Sequence, residues 1–528
     1  MNGANHSLAV LAGALIALGA CRGADEVVVR LKGDGANDTG HATAYGVRWK
    51  LICDEVNDYL APCERVGRAR GLKPADFDKV FPYRDMRRCN VLELEDGTTR
   101  ITYEGENRFS LTGSNGNVFV EIPKHYAKRR QSGGYEYRYV SDRPLDGFSV
   151  DPAFIENGKI LDKIYVSAYE AHLRDGKMRS VTGVYPTADR TRPEYRRCAR
   201  ANGSRYGILD IRTLNMVQNL FLIEYADRDS QAAVGQGWGK IHQPRKTALR
   251  CTLAETGVNR IVVSDWTAAL GERLFAGSAI EMVDYDTHAV LVTGRTLLRV
   301  SPNTSSAGYT AVYFDGEPID TTTQMVLGGA AQKTGWSDAL STPSGHTENC
   351  GGGADAGYRN AVRYRYMENL WGNVWHFIDG LNLTNGAAYV CNNMRDYESG
   401  VTDRAYRRVA ATQAIQTDNA TVGGDREIHY MKNLTFDPRE PFLALPKDYV
   451  NGREISVAHA QRAPRLGSDA LRHANFGDYY YLTTNATCYV HGGGFDHFWR
   501  CGLFTLRGWT TDASKWYLYG ARLIYKPM

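Results

Sequence analysis

The chain has 528 residues, 43% hydrophobic and 23% charged. These are the proportions of a folded globular protein of roughly two to four domains, which excludes a disordered or collagen-like chain. Lys+Arg 63 against Asp+Glu 59 gives a net +4, a balance that excludes nucleic acid as a main partner, because such binding concentrates cationic charge on one face. With 54 glycines, 32 tyrosines and 9 tryptophans, the composition fits a loop-rich, β-leaning protein with aromatic contact surface. The ten cysteines are scattered without a C-x-x-C pair, so the chain carries neither a zinc ribbon, a thioredoxin-like motif nor a dense disulfide framework.

Leu8 to Ala20 is an apolar run followed at once by Cys21. It is shorter than the roughly 20 residues of a membrane span and suits the apolar core of an export signal. Leu18-Gly19-Ala20-Cys21 reads as a bacterial lipobox that would lipidate Cys21, although Met1 to Ser7 carries no Lys or Arg. The alternative for residues 1–25 is a self-associating segment of an assembled particle. Residues 26–117 read as a β-rich attachment region, with a strand from Glu26 and a helix over Val47 to Leu60. From Asn90 to Val120 apolar and polar residues alternate between Gly and Asn turns, the period of antiparallel strands, and Asp96-Gly97 suits a two-residue hairpin. Ile164 to Ala171 is a further strand. Asp210 to Ala226 is the best helix, with Leu214, Val217, Leu220, Phe221, Glu224 and Tyr225 on one stripe and Asp210 at the cap. Residues 278–344 read as an inserted β element. The glycine-rich loop from Ser344 through Gly353 is not a phosphate loop, since no Lys-Ser/Thr follows it.

Two segments concentrate chemistry. In Trp371-Gly372-Asn373-Val374-Trp375 two indoles flank a Gly-Asn turn that directs both into one core and leaves Asn373 to bond a neighbouring loop. The stretch from His491 to Ile524 interleaves Asp, His, Arg, Trp and Tyr with glycines, an odd mixture for a core and a natural one for a contact surface.

Gly372-Asn373-Val374-Trp375 is similar to the G-N-V-W signature of the formylglycine-generating-enzyme branch of the C-type lectin fold. Gly520-Ala521-Arg522-Leu523 resembles that family's terminal G-F-R-L strand, Tyr169-Glu170 its early strand, and Glu224-Tyr225-Ala226 the end of its helix. The matches fall in the family's order across most of residues 118–528. They imply an α+β chain: a C-type-lectin-like domain of short strands, a few helices and long loops over 118–528, preceded by the smaller β-rich region. The terminal stretch resembles the variable region of target proteins of diversity-generating retroelements, many of them phage tail proteins. On that resemblance Gly492, Gly493, Gly502, Gly520 and Arg522 join Trp371, Gly372, Asn373 and Trp375 as fixed scaffold. The mutable ligand-binding positions, within 491–524, are then Gly494, Asp496, His497, Arg500, Arg507, Trp509, Lys515, Tyr517 and Tyr519.

The expectation is a non-enzymatic receptor-binding protein at the tip of a phage tail fibre, without cofactor or metal. Its partners would be a host or cell-surface protein or glycan and other tail subunits, with a homotrimer the common arrangement of such fibres. A lipid-anchored adhesin on the bacterial outer surface is the rival. An oxygen-dependent oxidase is the third reading, but that chemistry uses a closely spaced cysteine pair, and Cys488 and Cys501 stand thirteen residues apart. Cys488, His491, His497 and Cys501 match no zinc spacing, and the chain has neither a G-x-S-x-G elbow nor an acidic calcium loop.

Overall fold

A computed structural model describes residues 43 to 527, apart from 52–62, 240–248, 303–308, 340–360, 416–428, 452–475 and positions 236, 265, 272, 401, 411, 412, 414, 438, 498 and 499. Cys21, the glycine-rich loop at 344–353, Phe498 and Trp499 therefore lie outside the described residues. The chain is mostly β-strand with few helices. Among the described residues no helix is long and apolar enough to cross a membrane.

Four sheets organise it. The first, in spatial order, pairs Glu64–Gly67, Tyr45–Lys50, Tyr135–Ser141, Tyr126–Ser132 and Ser149–Val150. The second runs Tyr206–Ile208, Leu523–Tyr525, Lys163–Ser167, Asn117–Pro123, Arg87–Glu93 and Thr99–Tyr103. The third, formed mainly by the insertion, runs Arg260–Val263, Thr310–Phe314, Val290–Pro302, Ala279–Asp284 and Met325–Gly329. The fourth, here called the terminal sheet, runs Tyr480–Leu482, Gly502–Thr510, Cys488–Gly492, Trp375–Phe377 and Tyr519–Gly520.

Three expectations are corrected here. The boundary at 117/118 does not separate folding units, because Tyr45–Lys50 pairs with Tyr135–Ser141 and Arg87–Glu93 pairs with Asn117–Pro123. One apolar core runs through both parts, from Val47, Trp49 and Phe77 to Phe221 and Phe504. Val47 to Lys50 is strand rather than helix, since its backbone groups are taken by that pairing. Around Asp96-Gly97 the loop has three residues: the Leu94 N–H donates to Thr98 O at 2.8 Å, the Gly97 N–H donates to Leu94 O at 2.9 Å, and Gly97 is left-handed at φ +79°. Residues within 278–344 do form strands of one sheet, which also recruits Arg260–Val263 from outside that range.

Helix α1, Arg192–Arg200, is entered through a capping box: Thr191 Oγ1 accepts from the Glu194 N–H, and the Thr191 N–H donates to Glu194 Oε2 at 2.7 Å. Helix α2, Ile211–Tyr225, has the expected cap, Asp210 Oδ1 accepting from the Thr213 N–H at 2.8 Å, and ends at Ala226 with φ 52°. Its apolar side chains were expected on one face, yet nearly every residue is buried. A helix sealed all round must pair its polar groups internally. Glu224 meets Arg365 and Gln218 donates to Leu503 O at 2.8 Å, which ties α2 to the terminal sheet.

Candidate functional site

The terminal sheet separates two apolar cores, as the period-2 pleat of a strand demands. Tyr480, Leu482, Tyr489 and Leu506 join the core around α2, whereas Tyr479, Tyr481, Val490, Trp375, Phe377 and Tyr519 join the other. Gly508 lies on the α2 side, where an added Cβ would stand 2.5 Å from Leu482 Cδ1. Arg507 and Trp509 therefore project from the opposite face. Arg507 sits beside Tyr481 and Val490 in register.

Two arginines of α1 fix the strand that carries Trp375. Arg192 donates to Ile378 O at 3.1 Å, Leu381 O at 3.0 Å, Asn382 Oδ1 at 2.6 Å and Asp512 Oδ1 at 2.7 Å. Arg196 forks onto Asp379 at 2.7 and 2.8 Å. The turn before that strand uses Gly372 at φ +79° and Asn373 at φ +59°. It sends the two indoles apart, not into one core: Trp371 packs edge-on to Phe221 at 6.2 Å, and Trp375 belongs to the opposite cluster. At the other end of the stretch Gly492 and Gly493, at φ +94° and +90°, make a turn in which a Cβ would strike Leu370 O at 2.7 Å or Cys501 Sγ at 2.6 Å. Gly502 accommodates Asp478, whose Cγ would lie 2.0 Å from an added Cβ.

Three of the four segments that carry the resemblance meet at one buried polar centre, while Glu224 pairs with Arg365 elsewhere. Glu170 accepts from Asn373 Nδ2 at 2.5 Å, Asn369 Nδ2 at 3.2 Å and the Val374 N–H at 3.3 Å, with His376 Nε2 at 3.4 Å. Arg522 packs beside it and donates to Ser167 O at 2.7 Å, Asn369 O at 3.1 Å and Glu368 O. Asn373 also brackets the insertion, its Oδ1 accepting from the Gln332 N–H at 2.6 Å and its Nδ2 donating to Gln332 O at 3.1 Å. Burial pushes the Glu170 carboxyl up to about 7 against the pull of Arg522, and it holds His376 well below the usual imidazole range.

On this second face most of the positions expected to be mutable assemble into one cluster. Trp516 contacts Tyr517 at 5.0 Å, Tyr519 at 5.3 Å and His497 at 6.0 Å between ring centroids; His497 also meets Trp375 edge-on at 5.2 Å. The Arg507 guanidinium lies 5.7 Å from the Trp375 centroid, 5.0 Å from Trp509 and 5.6 Å from Trp516. Tyr481 touches Trp509 at 5.8 Å and stacks parallel to Tyr479 at 6.4 Å, and Arg500 stands 5.6 Å from Tyr479. Asp496 pairs with His497 at 2.6 Å. Burial lowers the His497 imidazole, with Asp496 opposing. Arg273, from the edge of the insertion, feels the Asp496 charge, so the insertion borders the patch.

Exposure was expected for Asp496, His497, Arg500, Arg507, Trp509, Tyr517 and Tyr519 and is corrected for most of them. Trp509 is 40% exposed and Lys515 is exposed, Arg500 is half-buried, and the Asp496 and His497 side chains are only 6% and 10% exposed. Arg507 and Tyr517 are only 8% exposed and Tyr519 7%; the indoles cover the guanidinium, and the two phenols pack on Phe495, Phe377 and Trp516. Gly494 is buried beneath Trp375 and Leu518. Tyr479, Tyr481, Trp516 and Arg273 belong to the patch without having been assigned to it from sequence. The alternation of Tyr479 and Tyr481 in a strand was the available signal.

Cys488 pairs in register with Thr510 while Cys501 adjoins the Gly502–Gly492 pair. Cys501 lies beside Gly492 and Gly493, and Cys488 stands four residues before Gly492 on the same strand, so at about 3.3 Å per residue the two cysteines are roughly 13 Å apart along it, and burial pushes both thiols up. They do not form the adjacent pair that oxidase chemistry uses. Among the described residues no three His, Cys, Asp or Glu side chains gather as metal ligands. No protein-family model matches the chain, and no curated protein matches it.

Proposed function

We propose that the chain is a recognition protein whose C-type-lectin-like scaffold presents the outer face of the terminal sheet to a host-cell or other cell-surface receptor, as the tip adhesin of a phage tail fibre. The observation that carries this reading is the continuous patch from Tyr479 through Trp509, Arg507 and His497 to Tyr517 and Tyr519. Positions singled out as mutable, spread over the 24 residues from Asp496 to Tyr519, come together there on a frame of buried glycines and arginines. Trp, Tyr and Arg are the residue types that dominate binding hot spots, because they offer large area at small entropic cost. The scaffold half of the reading draws on the convergence at Glu170. Tyr169-Glu170, Gly372-Asn373 and Arg522 are widely separated in sequence, and coincidental matches would have no reason to meet at one carboxylate. The distance between Cys488 and Cys501 weighs against the oxidase.

The test is binding of the purified chain to intact candidate host cells. The double variant Trp509→Ala with Lys515→Ala removes two exposed side chains and is expected to keep the melting temperature while losing at least tenfold in cell binding. Unchanged binding would refute the proposal. In the DNA beside the gene, a reverse transcriptase and a near-copy of the codons for 491–524 are expected.

A further inference from the structure

Resting on that recognition reading, we propose that the patch binds a carboxylated sugar, with Arg507 holding the carboxylate. Buried arginines elsewhere each reach acceptors, Arg192 four of them, Arg196 Asp379, Arg365 Glu224 and Asp78, Arg522 three carbonyls, Arg129 Glu136 and two carbonyls, even where a single donor such as Arg522 Nε or Arg138 Nη2 stays without one. Arg507 is the exception. It is 8% exposed, among the described residues it makes neither an ion pair nor a side-chain hydrogen bond, and its Nε and Nη1 are buried without an acceptor. A desolvated cation with unsatisfied donors is costly, and three indoles meet only part of that cost. Cation–π attraction acts on the face of the guanidinium and leaves its in-plane N–H groups unused.

A second donor points the same way. Trp375 Nε1 is buried without an acceptor, and the Trp375 ring is one of the three around Arg507. It also lies against Gly494, where an added Cβ would stand 3.4 Å from Nε1. Donors without acceptors call for a group that only accepts. A planar carboxylate matches the guanidinium fork bidentately.

The surroundings choose the carrier. Beside Arg507 stands the Trp509 indole, 40% exposed, backed by the rings of Tyr481 and Tyr479, which are parallel to within 5° and only 8% and 7% exposed. The flat face of an exposed indole suits the C–H face of a sugar ring. A glutamate side chain would fill the fork and leave the indole face empty. The ligand class is thus an oligosaccharide bearing a hexuronic or sialic acid.

The experiment titrates the full chain by calorimetry with glucuronate-, galacturonate- and sialic-acid-containing oligosaccharides, with their neutral counterparts and with a tetraglutamate peptide. At least one acidic sugar is expected to bind at least tenfold more tightly than its neutral partner and than the peptide. Arg507→Met is expected to abolish that preference, and Arg507→Lys to weaken it at least tenfold while keeping the positive charge. Circular-dichroism melting of each variant separates lost binding from lost folding, and Arg507→Met is expected to melt no lower than the parent. Equal affinity for neutral sugars, preference for the peptide, silence across the acidic panel, or an acid preference that survives in Arg507→Met would each overturn the assignment. If cell binding persists while the panel is silent, the sugar assignment fails and the recognition reading stands; absence of cell binding counts against the recognition reading itself.

Discussion

Asn373 is the residue whose removal says most about this fold. Truncation to Ala deletes the acceptor of the Gln332 N–H, held at 2.6 Å, and the donor shared by Glu170 and Gln332 O, held at 2.5 and 3.1 Å. A buried donor left unsatisfied costs about 1 to 3 kcal/mol, and loss of a bond to a charged group about 1.5 to 3 kcal/mol. Residue 373 stands at φ 59°, where Ala adds about 1 kcal/mol over Asn. With partial relaxation, Asn373→Ala is expected to cost about 3 to 5 kcal/mol. Asn373→Gly loses the same hydrogen bonds without the left-handed penalty and is expected to recover about 1 kcal/mol. Denaturant midpoints of the full chain, followed by near-ultraviolet circular dichroism, give the ranking. A loss below about 1 kcal/mol for the Ala variant would refute the view that this side chain locks the strand, the insertion and the terminal sheet together.

Other outcomes follow from the same geometry. Arg365→Met strands Glu224 inside α2's surroundings and should cost about 3 to 5 kcal/mol, and adding Glu224→Leu should restore most of it; a double variant no better than the single one would contradict the pairing. Burial pushes Asp151, Glu170 and Glu368 up to about 7. These carboxyls hold protons more tightly in the fold than in the unfolded chain, so their contribution is full below about pH 4.5 and lost as pH rises through 7. His125, pushed by burial down to about 4, and His491, down to about 3, contribute fully above about pH 6.5 and lose their contribution on acidification. The melting temperature should therefore fall between about pH 6 and 8 and level off above, with Glu170→Gln flattening the slope; a profile that rises across this window would reject the assignment. Finally, mass-mapped alkylation of the native chain should leave Cys488 and Cys501 unmodified, since buried, protonated thiols react slowly; rapid labelling of either would place it at an accessible site.

Much of the scaffold is legible in the sequence because it depends on local chemistry. Asp210 declares a helix start through its own side chain, and the alternation from Asn90 onward declares strands. The segment from Val47 to Lys50 misleads for the opposite reason: its pattern allows a helix, and the partner that makes it a strand, Tyr135–Ser141, is some ninety residues away. The same long-range pairing erases the boundary at 117. Trp371 and Trp375 look like a matched pair, yet two consecutive left-handed residues turn them to opposite sides of a sheet, which spacing alone does not encode. At the site, residue types pointed to a contact surface, and the side chains gather there with only Trp509 and Lys515 exposed. The depth of Arg507 was not legible, because it is set by three indoles drawn from Trp375, Trp509 and Trp516, and only assembly of the sheet brings those together.

The strand Leu523–Tyr525 is held on one side by Lys163–Ser167 and on the other by Tyr206–Ile208, and Arg522 reaches Ser167 across 355 residues of chain. Closing so large a loop is entropically expensive before any contact compensates it, so such topologies fold slowly. During synthesis the second sheet stays split, with two unpaired edges, until this segment clears the ribosome. A nascent chain of this design thus stays exposed to chaperones and proteases long after its first strands emerge, and this sheet reaches its protected state only when Leu523–Tyr525 slides into the waiting gap.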